Sequence, residues 1–236
     1  MSPSKTLRYY LQSTLDLISP RLLHHIRQRR WRSQWQRKDY CPAWRLPEMP
    51  TEVREAVDSG WFTPGRPILD VGCGSGELAS WLAAEGYPVD GFDIAEEAIA
   101  KARRNFGHLS PQVTFQVGDI LEAWPGATLY HNLLDRGCLN GLSPNLVPTY
   151  ARRAAEKAAA GAHFLIVYSL SSHPIIEQKT WQELRAAKAA VLEAAFRPYF
   201  EIERLEDGRM SYWPKGRERG WVPSLGIWLV RQGQET

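Results

Sequence analysis

The stretch Ile68-Leu69-Asp70-Val71-Gly72-Cys73-Gly74-Ser75-Gly76-Glu77 constrains the fold more than any other part of this chain. Its apolar start reads as a short buried strand, its alternate glycines as a tight turn, and the pattern from Glu77 onward as a helix. Glycine permits positive φ and lets a ligand approach the backbone closely. The helix that follows presents free N–H groups and a positive dipole end to a carboxylate or phosphate. Dinucleotide-binding folds share such a turn, so alone it does not name its ligand.

The flanking pattern sets the architecture. Further strands are expected at Val89–Phe92, Val113–Val117, Thr128–Leu134, Ala162–Ser169, Phe200–Leu205 and Leu225–Arg231. Helical periodicity fills Glu77–Glu85, Glu96–Phe106, Leu146–Ala160 and Thr180–Phe196. Strands alternating with amphipathic helices predict βαβ units, a mostly parallel sheet and helices on both faces. The last two strands are separated by residues 206–224, read as a loop, which favours an antiparallel final pair. The expected fold is α/β, doubly wound, with N-terminal helices added.

The N-terminal region differs from the rest. Leu7, Leu11, Leu15, Ile18, Leu22 and Ile26 recur at spacings of three or four, which predicts helix over 7–38 with a break at Pro20. The three prolines between Cys41 and Pro50 mark a connector, and a short helix from Glu52 to Asp58 ends at Gly60. This divides the chain into an N-terminal helical lid or extension, 1–50, and a main domain, 51–236.

Two acids continue the signal of the glycine turn. Asp93 closes the second strand, where a carboxylate can accept bonds from both ribose hydroxyls. It can also cap the next helix, since Glu96 completes a capping pattern three residues on. Gly118-Asp119-Ile120 follows the third strand, where an acid can take an adenine amino group and the isoleucine can cover the ring. All three sites stand at the C-terminal ends of consecutive strands and so converge on one crevice.

Taken in order, LDVGCGSGE, GFDIAEEAI and VGDI resemble the cofactor motifs of class I S-adenosylmethionine-dependent methyltransferases. The resemblance runs from about residue 52 to the C-terminus and implies a seven-stranded Rossmann-like sheet with a reversed last strand. It implies that Asp70, Gly72 and Gly74 hold the methionine end of S-adenosylmethionine, Asp93 the ribose, and Asp119 with Ile120 the adenine, with Ile94 a further cofactor-binding residue. A fourth segment, Asp135-Arg136-Gly137, is similar to one in the bacterial thiopurine, thiol and tellurite methyltransferase group. Cys41-Pro42-Ala43-Trp44 is a loose counterpart of an upstream tryptophan-and-proline segment of that group. His131 stands where such enzymes often carry an aspartate.

Methyl transfer from a sulfonium is an in-line displacement that needs the acceptor and methyl held near contact, away from water. A soft thiolate needs little base catalysis, whereas a hydroxyl or amine acceptor often needs a group to take its proton. Asp135, His131 and His173 are the candidate bases. Asp135 is preferred for orienting the acceptor or the cofactor's amino group, with His173 beside it as a catalytic candidate. Cys73 and Cys138 read as small buried hydrophobes, not nucleophiles.

Selectivity falls to the added segments: the N-terminal helices and residues 206–224, with Met210, Tyr212, Trp213, Lys215, Arg217, Arg219 and Trp221. The basic excess gathers near the N-terminus, in Arg27, Arg29, Arg30, Arg32, Arg37 and Lys38. That face is either solvated, docked on a membrane surface, or a contact for nucleic acid. Three cysteines show no metal-ligand spacing, and no apolar run spans a bilayer, so a reduced, cytoplasmic protein without metal is expected.

The leading expectation is a methyltransferase acting on a small molecule, a sulfur or other soft nucleophile being preferred. RNA or protein methylation docked through the basic helices is the alternative, weakened because no Asn/Asp-Pro-Pro-Tyr/Phe segment follows the fourth strand. A non-catalytic cofactor-binding module is a further reading. A nicotinamide-dependent oxidoreductase fits less well, because no second catalytic region follows.

Overall fold

A computed structural model of the chain describes residues 19–44, 48–126, 128–170, 181–212, 218 and 220–233. His173, Trp213, Lys215, Arg217, Arg219 and the expected helix over 7–18 lie outside the described residues.

Helix α1 (Pro20–Trp35) starts where the sequence places its break, with Pro20 in the first turn, where its missing N–H costs nothing. Helix α2 (Thr51–Asp58) precedes strand β1 (Ile68–Val71), and the glycine turn leads into α3 (Glu77–Ala84). Then come β2 (Val89–Asp93), α4 (Glu96–Phe106), β3 (Val113–Val117), β4 (Tyr130–Arg136), α5 (Val147–Lys157) and β5 (Ala158–Ser169). Helix α6 (Trp181–Phe196), β6 (Phe200–Tyr212) and β7 (Gly220–Arg231) complete the described elements.

Seven strands form one sheet in the order β3-β2-β1-β4-β5-β7-β6. The pairs β1/β2, β2/β3, β1/β4 and β4/β5 are parallel, while β7 runs antiparallel to both β5 and β6. This is the Rossmann-like fold with a reversed last strand. Its faces bury separate cores: Tyr150, Phe164, Phe196 and Phe200 under α5 and α6, and Val53, Leu82, Ile99, Phe115 and Trp228 under α2, α3 and α4.

Strand order reverses between β1 and β4, and in open α/β sheets the crevice beyond such a switch point receives ligands. Register makes the crevice specific. Val71 lies opposite Asp135, so Gly72 and Arg136 leave the sheet side by side.

Two expectations are corrected here. Residues 206–224 are not one loop: β6 continues to Tyr212 and β7 begins at Gly220, pairing Glu206 with Gly226, Met210 with Val222 and Tyr212 with Gly220. The charged run Glu203–Arg209 hid the strand, yet β6 is an edge strand whose charges can stay in water. The fourth strand is shifted later, ending at Arg136, and β5 starts at Ala158, directly after α5. Among the described residues no helix is long and apolar enough to cross a membrane.

Candidate active site

Beyond the ends of β1, β2, β3 and β4 lies a cavity of about 580 Å³, lined by the turn glycines Gly72 and Gly74, by Asp93, Ile94, Asp119 and Ile120, and by Arg136, Gly137 and Cys138. Sequence order scattered these groups over sixty-odd positions; the parallel register gathers them on one rim.

The turn explains its own glycines. Gly72, Gly74 and Gly76 have φ of +73°, +55° and +84°, a region that costs other residues roughly 1–2 kcal/mol. A Cβ on Gly72 would stand 2.4 Å from Cys138 Cβ, and one on Gly76 would stand 2.7 Å from the Phe115 ring. Gly72 thus lets the turn after β1 touch the turn after β4, and Gly76 lets α3 lie close to β3.

Asp93 bridges two segments. Its Oδ2 accepts from Gly74 N–H at 3.1 Å and its Oδ1 from Ala95 N–H at 2.9 Å. Helix α4 has Ala95 as its N-cap, without a side-chain cap, so Asp93 holds the loop before the helix and ties it to the glycine turn. Each carboxylate oxygen keeps one lone-pair direction for a ligand. Burial raises its pKa, and the backbone N–H groups pull it back.

Asp70 and Asp135 lie beneath the cavity. Asp70 is buried, and its Oδ2 has no hydrogen-bond partner. Burial, with the charges of Asp135, Asp93 and Glu77, pushes its carboxyl up to about 7. Asp135 is fully buried and accepts from Tyr150 O–H at 2.6 Å, Cys138 N–H at 2.8 Å and Leu139 N–H at 3.1 Å. Burial nevertheless lifts it to about 7 as well, against the pull of those donors. Buried carboxyls held this high mark a site short of positive charge.

The sign of the pH effect follows. A carboxyl with pKa near 7 in the folded chain and 3.8 unfolded binds its proton more tightly when folded, so stability falls as pH rises through that window. The ligand-free protein is therefore expected to melt at a higher temperature as pH drops from mildly alkaline values to about 6.5. His163, lowered from 6.5 by burial, acts in the opposite sense below that. Thermal melts with and without a saturating cationic ligand check this: the ligand should flatten the dependence. A melting temperature that rises with pH in both would contradict it.

Asp119 is engaged by α1. His24 Nε2 lies 3.0 Å from its Oδ1, Gln28 Nε2 donates to Oδ2, and Leu121 N–H reaches Oδ1 at 2.9 Å. Burial works to raise its pKa, but His24, Leu121 N–H and Gln28 together leave it below the usual value. The same helix sends Arg32 Nε to Ile94 C=O at 3.3 Å and Arg27 to Gly141 C=O at 3.2 Å, and lays Trp35 beside Gly74. One helix therefore touches the segments after β1, β2, β3 and β4.

The cavity is lined further by Trp31, Trp44, Arg27, Asn140, Met210 and Val222, with Arg136, Ser169 and Ser211 among the polar groups. Trp31 and Trp44 meet edge to face with centroids 5.3 Å apart. Arg136 is 5% exposed; its nearest carboxylate is Glu52 at 3.5 Å, and a terminal nitrogen reaches Ser211 Oγ at 3.4 Å. Its Nε makes no hydrogen bond.

Of the sequence candidates, the cavity brings together Gly72, Gly74, Asp93, Ile94, Asp119 and Ile120, with Asp70 and Asp135 buried behind it. His131 is a correction: it is the second residue of β4, roughly 16 Å along the strand from Arg136 and away from the cavity. His173 lies outside the described residues. Burial raises the thiols of Cys73 and Cys138, which keeps both protonated. Sequence reasoning missed His24, Gln28, Trp31, Asn140 and Ser169 as cavity residues. The count of ten tryptophans, more than a core of this size needs, points to rings lining a pocket or lid without naming which.

A family model for a methyltransferase domain matches residues 68–159, which hold the glycine turn, Asp93, Asp119 and Asp135. Fold, cavity and match together define an S-adenosylmethionine-dependent methyltransferase with the class I fold. Over 205 residues the chain is 24% identical to 2-heptyl-1-hydroxyquinolin-4(1H)-one methyltransferase of Mycobacteroides abscessus, covering 80% of this chain and 88% of that protein. Among solved structures it is similar to one from work on the conversion of a disulfide bond into a thioacetal group during echinomycin biosynthesis. That likeness has a TM-score of 0.74 at 21% identity and covers 89% of this chain and 94% of the other. It is also similar to the N-methyltransferase NodS from Bradyrhizobium japonicum in complex with S-adenosyl-L-homocysteine, with TM-score 0.61, 16% identity and coverage of 88% and 99%.

The residues present fit the cofactor. S-adenosylmethionine carries an ammonium and a sulfonium, and behind this cavity are a buried carboxylate oxygen without a hydrogen-bond partner and two carboxyls whose pKa burial raises. Its supply is a methyl group on positively charged sulfur.

Proposed function

We propose that the chain methylates a small, flat, largely apolar molecule at an atom that is already anionic near neutral pH, sulfur first. The acceptor half of the cavity carries this reading: tryptophan, methionine and valine walls, a nearly buried Arg136, and no free carboxylate or imidazole among the described lining residues. Asp93 and Asp119 belong to the opposite half, and His24 is tied to Asp119. Among the described lining residues, an acceptor that needed its proton removed would find no free base, whereas a thiolate needs none.

In this reading Asp70, Gly72 and Gly74 hold the methionine end, Asp93 and Ile94 the ribose, and Asp119 and Ile120 the adenine. Arg136 orients the anion, and its positive charge repels a competing cation. Asp135 positions the loop from Gly137 to Leu139 through its backbone bonds. Helix α1 acts as the lid, excluding water over both halves. The Asp135-Arg136-Gly137 resemblance and the sulfur chemistry named for one structural neighbour support a sulfur acceptor. The hydroxyquinolone relative supports an acidic N-hydroxyl or aromatic hydroxyl as the second reading.

A screen with methyl-labelled cofactor across thiols, N-hydroxyquinolones, phenols, amines and bulk RNA tests the proposal. Transfer to thiols or acidic hydroxyls is expected, and transfer confined to amines or RNA would sink it. Asp93→Ala is expected to weaken cofactor binding 10- to 100-fold, about 1.5–3 kcal/mol, the loss of charge-assisted bonds. Calorimetric titration reads it, and an unchanged affinity would remove Asp93 from the site.

A further inference from the structure

Helix α1 has two faces, and the cavity uses only one. Leu23, His24, Gln28 and Trp31 point inward. On the outer face, Leu22 and Ile26 are 49% and 47% exposed, one turn apart. Arg29 and Arg30 follow one turn later, and Arg21 and His25 flank the row; all are exposed. From Pro20 to Lys38 the chain has six arginines and one lysine and no acidic residue.

A second cationic patch lies past the end of the helix. A groove of about 420 Å³ is lined there by Arg37, Lys38, Lys101 and Arg104 together with the rings of Trp35 and Tyr40. Lys101 Nζ lies 5.8 Å from the Trp35 ring centroid, and Trp35 meets Tyr40 edge to face at 5.1 Å. The acids nearby are Glu97 in the groove wall and Asp39, which stands 4.0 Å from Arg37.

We propose that the outer face of α1, with this groove, docks the protein on an anionic lipid bilayer. An interfacial helix needs apolar side chains that enter the headgroup region and cations that meet anionic lipids, and Leu22, Ile26, Arg29 and Arg30 supply both on one face. The groove offers several cations and two amphipathic rings to phosphate headgroups, which suits the level where tryptophan and tyrosine sit at membranes. Nucleic acid would use the same cations, but two exposed aliphatic side chains at the crest of the face have no partner on a phosphate backbone. Docked this way, α1 stands between the bilayer and the acceptor cavity, so a lipid-dissolved acceptor has a short path to Trp31. That last consequence rests on the apolar acceptor proposed above; the docking does not.

Flotation tests it without cofactor or acceptor. The full chain is incubated with phosphatidylcholine vesicles, with equimolar phosphatidylcholine–phosphatidylglycerol vesicles, or with bulk RNA. It is expected to float with the phosphatidylglycerol vesicles alone, less so at high salt. Arg29→Gln/Arg30→Gln is expected to lower partitioning roughly 30-fold, at about one factor of five per basic residue. Leu22→Ser/Ile26→Ser should reduce it independently, while cofactor affinity stays that of the parent in both. The idea fails if the parent does not float, if it floats after both double substitutions, or if the arginine pair changes only retention on RNA. Methyl transfer is measured separately, so a wrong acceptor assignment leaves this result intact.

Discussion

Gly72→Ala is expected to abolish measurable S-adenosylmethionine binding and to lower the unfolding midpoint. The new methyl would sit 2.4 Å from Cys138 Cβ and 2.6 Å from its sulfur, on a backbone at φ +73°. The left-handed conformation costs roughly 1–2 kcal/mol, and overpacking against a fixed neighbour adds about 1–3 kcal/mol. The turn relieves the overlap only by moving away from β4, which opens the cavity rim at the point where Gly72 and Arg136 are neighbours. Pairing the substitution with Cys138→Gly removes both clashing atoms and leaves only the backbone strain. The double variant should therefore recover about 1 kcal/mol or more beyond additivity in urea titrations. Parent-like affinity and midpoint in Gly72→Ala alone would show that the two turns need not touch.

The second large effect is expected at Asp135. Asp135→Ala orphans the buried Tyr150 O–H and Leu139 N–H and the part-buried Cys138 N–H. An unsatisfied buried donor costs about 1–3 kcal/mol, and relief of the buried carboxylate's own cost returns part of that. A net loss of about 3 kcal/mol is expected. Asp135→Asn separates positioning from base catalysis. If the carboxylate positions the loop, the amide variant should lower the urea midpoint and raise the acceptor KM together. A variant as stable as its parent, with turnover gone and KM unchanged, would instead make Asp135 the base.

These two sites differ in how legible they were. The glycine turn is a local matter: positive φ, a strand before and a helix after, all within ten residues. Asp135 was found through its segment, but its place beneath the cavity rests on Tyr150, whose hydroxyl approaches only when α5 packs on the sheet. Asp119 shows the same limit. Its position after β3 marked it as a ligand for adenine, yet nothing in its neighbourhood announced His24 and Gln28, which lie 95 and 91 residues away. The extension of β6 beyond Leu205 and of β7 before Leu225 was hidden because its signal is a ladder with a partner, and Glu206 and Asp207 gain theirs from Gly226 and Leu225.

Residue order alone specified the alternation of strands and helices, the turn that needs glycine, and the acids that end β2 and β3. Each follows from φ preference or from periodicity, which act within one element. Tertiary structure decided which of those groups share a wall, that α1 spans four strand ends, and that Arg136 and three tryptophans line one cavity. Such facts depend on register and packing between distant segments, where burial removes water and turns an ordinary carboxylate into one held near neutrality.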